Sequence, residues 1–230
     1  ISGLELRQIK RHQRNLQTLR IRLHYLAKRR EDRLLFDFQN ELAADLGFVN
    51  NSRKRASEQL MQSYFTSVKY INLINEILVK TLESTLTKTA VNITPISDNF
   101  EAHNQWLQAK NARILQQQPM AILECFLLLQ QHPELEGMGA NLIRQLQRVK
   151  KLVNREFRES NDNKALFINI LSKSKGVNHS LRRMNRYGIL GQYIPAFGKI
   201  VGQMQHDLFH VYTVDEHILN VLANLRRFAK

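Results

Sequence analysis

Apolar residues recur every three or four positions along the first third of the chain. Between Leu4 and Arg30 the seam is Ile9, Leu16, Leu19, Leu23 and Leu26, with His12 as its single polar member, the a and d spacing of a bundle helix. After the charged corner RREDR, residues 29–33, Asp32 stands where an N-cap belongs. Leu34, Leu35, Phe38, Leu42 and Leu46 then carry a second helix to Gly47, whose freedom at positive φ suits a helix end. The spacing predicts an antiparallel helical hairpin. Asn51 and Ser52 open a third helix reaching about Thr87, with Leu60, Tyr64, Val68, Ile71, Ile74, Leu78 and Leu82 on one face. Three helices of this length predict an up-and-down bundle over residues 1–90.

The helical period breaks at Val91. The stretch ITPISDNFEAHNQWLQAKN carries Pro95 and alternates on either side of His103 and Asn104, as a short β-hairpin near 98–110 would. Residues 91–112 therefore read as a connecting segment. Beyond it the pattern predicts shorter helices near 118–131, 139–158, 163–172 and 178–187, separated by His132-Pro133, Gly137, Gly139, Gly176 and Gly188. They would form a compact helical cluster over residues 113–205. The expected fold class is all-α, and no repeat of 20 to 50 residues suggests a solenoid.

Composition agrees with a helical reading, since 230 residues contain only 9 Gly and 4 Pro. The longest apolar run, AILECFLLL from Ala121 to Leu129, contains Glu124 and falls far short of the roughly 20 residues a membrane span needs. A single cysteine, Cys125, excludes a disulfide framework and a thiolate metal cluster. A soluble protein of the reducing cytoplasm is expected. The net charge of +14 is unevenly placed: residues 1–33 hold 10 basic and 3 acidic groups, residues 34–140 hold 8 and 11, and residues 141–230 hold 16 and 6. A start at Ile1 without Met and an end in LANLRRFAK without a helix stop read as an excised piece.

The densest chemistry lies in HVYTVDEHI, residues 210–218. Thr213, Val214, Asp215 and Glu216 form a capping-box pattern, so a helix is expected from Val214. Its apolar positions Ile218, Val221, Leu222, Leu225 and Phe228 put His217 at the edge of a buried face. On spacing alone His217 reads as a core-edge histidine bonded to a neighbour, because His206, His210 and His217 do not match zinc spacing. The RREDR corner reads most simply as a solvated helix–helix turn, with Arg29, Arg30 and Arg33 as candidates for interdomain or phosphate contact through their guanidinium forks. Arg182, Arg183 and Arg186 form a second basic cluster of the same two readings. Trp106, Phe100 and Tyr64 read as packing groups, and Glu124 as an exposed or paired position on an amphipathic helix. Neither a Gly-rich phosphate loop nor a nucleophile–base set is present.

Three long blocks change these odds. LRRMNRYGILGQYIPAFGKIVGQMQHDLFHVYTVDEHILNVLANLRRF at 181–228, RREDRLLFDFQNELAADLGF at 29–48 and PMAILECFLLLQQHPELEG at 119–137 resemble, in the same order, the bacterial PII uridylyltransferase and uridylyl-removing family, GlnD. That family joins a nucleotidyltransferase domain, a helical segment, an HD-type phosphohydrolase domain and glutamine-sensing ACT domains. The resemblance implies that this chain is the central helical region, with residues 206–230 opening the HD domain. It maps His217 onto the first ligand of an incomplete metal site and places no catalytic residue within the chain. It further implies Mg2+ or Mn2+ and UTP in the intact enzyme, a PII signalling protein as partner, glutamine as effector, and no membrane. Two rivals from other classes are a basic nucleic-acid-binding module, which would show steep salt dependence, and a stand-alone protein-interaction domain.

Overall fold

The computed structural model describes residues 2–86, 91–204 and 212–228. Helices dominate, as the sequence pattern predicts, and a small sheet of four short strands accompanies them. Contacts group the chain into two compact units, one of Ile1–Ile74 with Lys199–Lys230 and one of Asn75–Gly198. No helix among the described residues is long and apolar enough to cross a membrane.

In the first unit, α1 (Gly3–Ala27) begins at a complete capping box, in which Glu5 N–H donates to Ser2 Oγ and Ser2 N–H donates to the Glu5 carboxylate. It ends three residues before the expected Arg30, because Lys28 turns left-handed at φ 53° and donates its N–H to Tyr25 O. Leu19 and Leu23 are its buried positions, and they pack with Leu42 and Ala43 of α2 (Phe36–Asp45) and Leu60 of α3 (Ala56–Leu86). Each fully buried aliphatic side chain of this kind contributes roughly 1.5–3 kcal/mol. His12 is held rather than buried in the seam: it stacks on Tyr70 and its Nδ1 lies 3.1 Å from Ser67 Oγ.

Two helix starts differ from expectation for the same reason, a side chain claimed by a different partner. Asp32 does not cap α2, because its carboxylate is taken by Arg20 and His24, and α2 starts at Phe36 behind Leu35 without a side-chain cap. Asn51 does not start α3; its Oδ1 accepts from Arg53 N–H and Lys54 N–H in an Asx-turn, while Asn50 Oδ1 accepts from Ala56 N–H. Gly47 does close α2, at φ +81°. The deep positions of α3 include Met61, Leu73, Ile74 and Ile77, and Leu82 stands exposed, so the apolar face is rotated from the predicted seam toward the C-terminal end.

The second unit is organised around α5 (Ala121–Gln131), whose residues from Ala121 to Leu129 are buried except the part-buried Glu124. That carboxylate is paired, accepting from Ser97 Oγ at 2.8 Å and Asn99 Nδ2 at 3.0 Å. The strands β1 (Ile93–Pro95), β2 (Phe100–His103), β3 (Trp106–Ala109) and β4 (Gly137–Met138) lie in that order; the first three run antiparallel and β4 joins β3 in parallel. The β2–β3 hairpin turns through Asn104 at φ 53° with His103 opposite Trp106. Phe100, Ala102 and Leu107 form its buried face.

A short α4 (Ile114–Gln117) precedes α5, and the helix expected over 139–158 is broken in three. It becomes α6 (Ala140–Val149), a 3-10 turn (Lys150–Leu152) and α7 (Arg155–Glu159), because Asn154 caps α7 by accepting from Phe157 N–H. The later helices α8 (Asn161–Ser172) and α9 (Val177–Arg186) both pack on α5. Short helices α10 (Leu190–Tyr193) and α11 (Pro195–Ile200) follow.

Candidate functional site

The last described helix, α12 (Val214–Phe228), starts where the capping pattern places it, with His217 N–H donating to Thr213 O. Only Asp215 and Leu219 of this helix are buried. Asp215 is 3% exposed; its carboxylate accepts from Gly202 N–H at 3.0 Å and lies 3.8 Å from Lys69 Nζ on α3. Burial lowers the Lys69 pKa, while the Asp215 and Glu216 carboxylates pull it back up. Gly202 adopts φ +68° to present its N–H, and the preceding turn is tied to α3 by Gln62 Nε2, which donates to Val201 O at 3.0 Å.

The expected buried stripe of α12 is corrected by this anchor. Ile218, Val221, Leu225 and Phe228 are exposed and Leu222 is part-buried, because the helix turns its acidic first turn and Leu219 inward instead. His217 is exposed rather than set in a core edge. Spacing pointed to the apolar positions; the signal that would have found the true inner face is the pairing of a buried carboxylate with a lysine on α3. His206 and His210 lie outside the described residues.

At the RREDR corner the two acids organise the four neighbouring arginines. Glu31, with its side chain only 6% exposed, accepts from Arg29 at 2.9 Å and from both the side chain and backbone N–H of Arg33 at 3.2 and 3.0 Å. These bonds, the Arg33 side chain first among them, hold its carboxyl below the usual range. Asp32 takes Arg20 at 2.6 Å and His24 at 3.1 Å, and Arg30 reaches it only at 3.8 Å. Arg29 and Arg33 are thus fixed on one carboxylate, and Arg30, at 80% side-chain exposure, is the most exposed of the three.

The second arginine cluster belongs to a network around Glu76 of α3. Glu76 Oε1 accepts from Lys80 Nζ at 3.0 Å and from Tyr187 Oη at 2.9 Å, and Arg186 lies 3.6 Å from Oε2. Lys80 also donates to Met138 O at 2.8 Å and sits 4.3 Å above the Trp106 ring. Arg183 donates to Glu136 O at 3.0 Å. Arg183 and Arg186 therefore have structural work within their own unit, with Arg182 beside them part-buried on α9. Sequence reading missed Glu76 and Lys80, although their i, i+4 spacing was visible. Among the described residues no three His, Cys, Asp or Glu side chains gather closely enough to hold a metal ion.

Comparison with known proteins decides what this assembly belongs to. The family described as GlnD PII-uridylyltransferase matches residues 1–79, and the family described as Uridylyltransferase GlnD third domain matches residues 100–193. A bifunctional uridylyltransferase/uridylyl-removing enzyme from Chromobacterium violaceum is 50% identical over 226 residues, which is 98% of this chain and 26% of the relative. Proteins of the same description from Thiobacillus denitrificans and Pseudomonas aeruginosa are 49% and 42% identical, over 97% and 92% of this chain and 26% and 24% of their own lengths. This chain belongs to the GlnD uridylyltransferase family.

It spans about a quarter of the length of the curated relatives it matches. No solved structure matches it. Within the GlnD family frame, both arginine clusters fall inside family-matched stretches, the RREDR corner in the first and α9 in the second, whereas α12 and His217 lie past the end of both.

Proposed function

We propose that this chain is the central helical region of a bifunctional enzyme that transfers UMP from UTP to a PII signalling protein and removes it hydrolytically, with glutamine setting the balance. It works in the cytoplasm. Residues 1–90 serve as the bundle associated with the nucleotidyltransferase domain, 91–112 connect, 113–205 form the helical cluster, and 206–230 open the HD-type phosphohydrolase domain. The chain acts as a scaffold and is inactive by itself. His217 is the first metal ligand of the hydrolytic site, and Mg2+ or Mn2+ is the cofactor of the intact enzyme, supplying charge neutralisation and an activated water when bound. The arginines at 29, 30, 33, 182, 183 and 186 are interdomain or phosphate contacts in this reading.

The observation that carries the proposal is identity of about one residue in two, along almost the whole chain, to proteins described as having both activities. The geometry supports it in one respect: α12 is seated by a buried carboxylate while His217 remains exposed. The test is the mass of the native polypeptide in source cells, detected with an antibody against this chain. A product much larger than 26.9 kDa, carrying both activities, is expected. A native product of 26.9 kDa would sink the two-activity reading.

A further inference from the structure

We propose that the outer face of α1 docks an acidic helix from the part of the intact protein that lies outside this chain; this rests on the reading of the chain as one region of a longer enzyme. Besides its buried seam, α1 carries a second row in steps of three, four or seven residues. Leu4 begins it, Arg7, Arg11 and Arg14 continue it, and Ile21 and Tyr25 end it. At about 3.6 residues per turn the two rows lie on roughly opposite sides of the helix. Every one of these six residues is exposed, the large apolar ones included: Leu4 at 59%, Ile21 at 54% and Tyr25 at 79%. The row runs about 30 Å along the helix, apolar at both ends and cationic between, with Lys10 beside the arginines.

These cations differ from their neighbours. Arg20 and Arg22 of the same helix are paired with Asp32 and Asp45, at 2.6 and 3.5 Å, whereas among the described residues no carboxylate is paired with Arg7, Lys10, Arg11 or Arg14. Four like charges over about 10 Å of helix repel one another, and a carboxylate partner relieves that repulsion. The ends of the row narrow the partner. A nucleic-acid backbone would satisfy the arginines and leave Leu4 and Ile21 in water, while arginine and tyrosine beside aliphatic side chains is the make-up of a protein interface. A second copy does not fit: paired with itself about its centre, parallel or antiparallel, the row sets arginine against arginine. The fitting occupant is a helix with apolar ends and Asp or Glu between. This chain spans about a quarter of the length of the curated relatives, which leaves ample polypeptide to supply it, and a segment tethered in the same protein meets the row at high effective concentration.

The experiment treats the purified intact enzyme with a water-soluble carbodiimide, which joins an ammonium to a carboxylate in contact with it, and maps the products by mass spectrometry. Lys10 is the probe. It is expected to be joined to an Asp or Glu of the same polypeptide outside residues 1–230. In the triple variant Arg7→Ala, Arg11→Ala, Arg14→Ala, whose alanines suit an exposed helix, the yield at Lys10 is expected to fall about tenfold, the worth of one charge-assisted hydrogen bond. Arg53→Ala with Arg55→Ala, exposed and off the row, should leave it unchanged. Lys10 uncoupled while other lysines react, coupled only within residues 1–230, coupled between labelled and unlabelled copies, or coupled equally in the triple variant overturns the docking alone. A native polypeptide of 26.9 kDa in the same spectrometer overturns the reading beneath it as well.

Discussion

Asp32 shows how one side chain changes role with context. In sequence it stands as a helix cap; in the fold it is the acceptor for Arg20 and His24, and those bonds, with Arg20 the larger cause, lower its pKa from 3.8 to about 2. A carboxyl whose folded value lies below its unfolded value stabilises the fold above the unfolded value and loses that contribution as pH falls through the folded one. The window is thus between pH 3.8 and about 2. An NMR titration of the Asp32 carboxyl should show a midpoint near the lower figure, and Arg20→Ala should move it up toward the ordinary one. Because both partners are about half exposed, added salt should shrink the effect. Tyr187 lies at the other extreme. It is 3% exposed, and burial together with the Glu76 carboxylate pushes its phenol well above the ordinary range. Tyr187→Phe removes the bond to Glu76 and leaves that carboxylate to Lys80 and Arg186, so denaturant unfolding should show a loss of about 1–2 kcal/mol.

At the scale of elements, what could be read in advance was periodicity, and what could not was competition for partners. The seam Leu19–Leu23 and the hairpin around His103 and Asn104 follow from spacing alone, since period and turn residues are local properties. Strand β4 escaped because two residues, Gly137 and Met138, become a strand only by pairing with Trp106 and Leu107 across a long connection. The break after α6 escaped because Asn154 reads as polar filler until Phe157 N–H reaches it. The inward face of α12 escaped because its decisive contact is polar, and patterning counts only apolar positions. Glycines divide in the same way. A Cβ at Gly198 of α11 would come within 2.5 Å of Gly191 O, a backbone atom of α10 that cannot swing aside, whereas one at Gly139 would meet only the end of the Gln108 side chain. Gly198→Ala should therefore cost about 1–3 kcal/mol by overpacking, and Gly139→Ala should cost clearly less. Thermal unfolding of the two variants side by side checks this.

For the whole molecule the issue is what a charge of +14 is for. Ion pairs leave that excess unchanged, but they fix some of the cations in place: Arg20, Arg29 and Arg33 sit on the carboxylates of the corner, and Arg186 and Lys80 on Glu76. A nucleic-acid module would present its cations in one groove or stripe, whereas these are spent on fixing local geometry in each unit. Arg30 differs, with 80% of its side chain exposed and its carboxylate partner at 3.8 Å, so it has the least to lose by turning to another anion. If the corner meets the nucleotidyltransferase domain or nucleotide phosphates in the intact enzyme, Arg30→Ala should lower UMP transfer about tenfold, the size of one charge-assisted bond of roughly 1.5 kcal/mol, while UMP removal and thermal stability stay near parent values. Arg33→Ala should instead lower stability, since it strips one of two side-chain donors from the nearly buried Glu31 and leaves only Arg29. Parallel transfer assays and melts of the two variants separate a contact role from a framework role: equal transfer rates in folded Arg30→Ala and parent would leave the corner as a framework only.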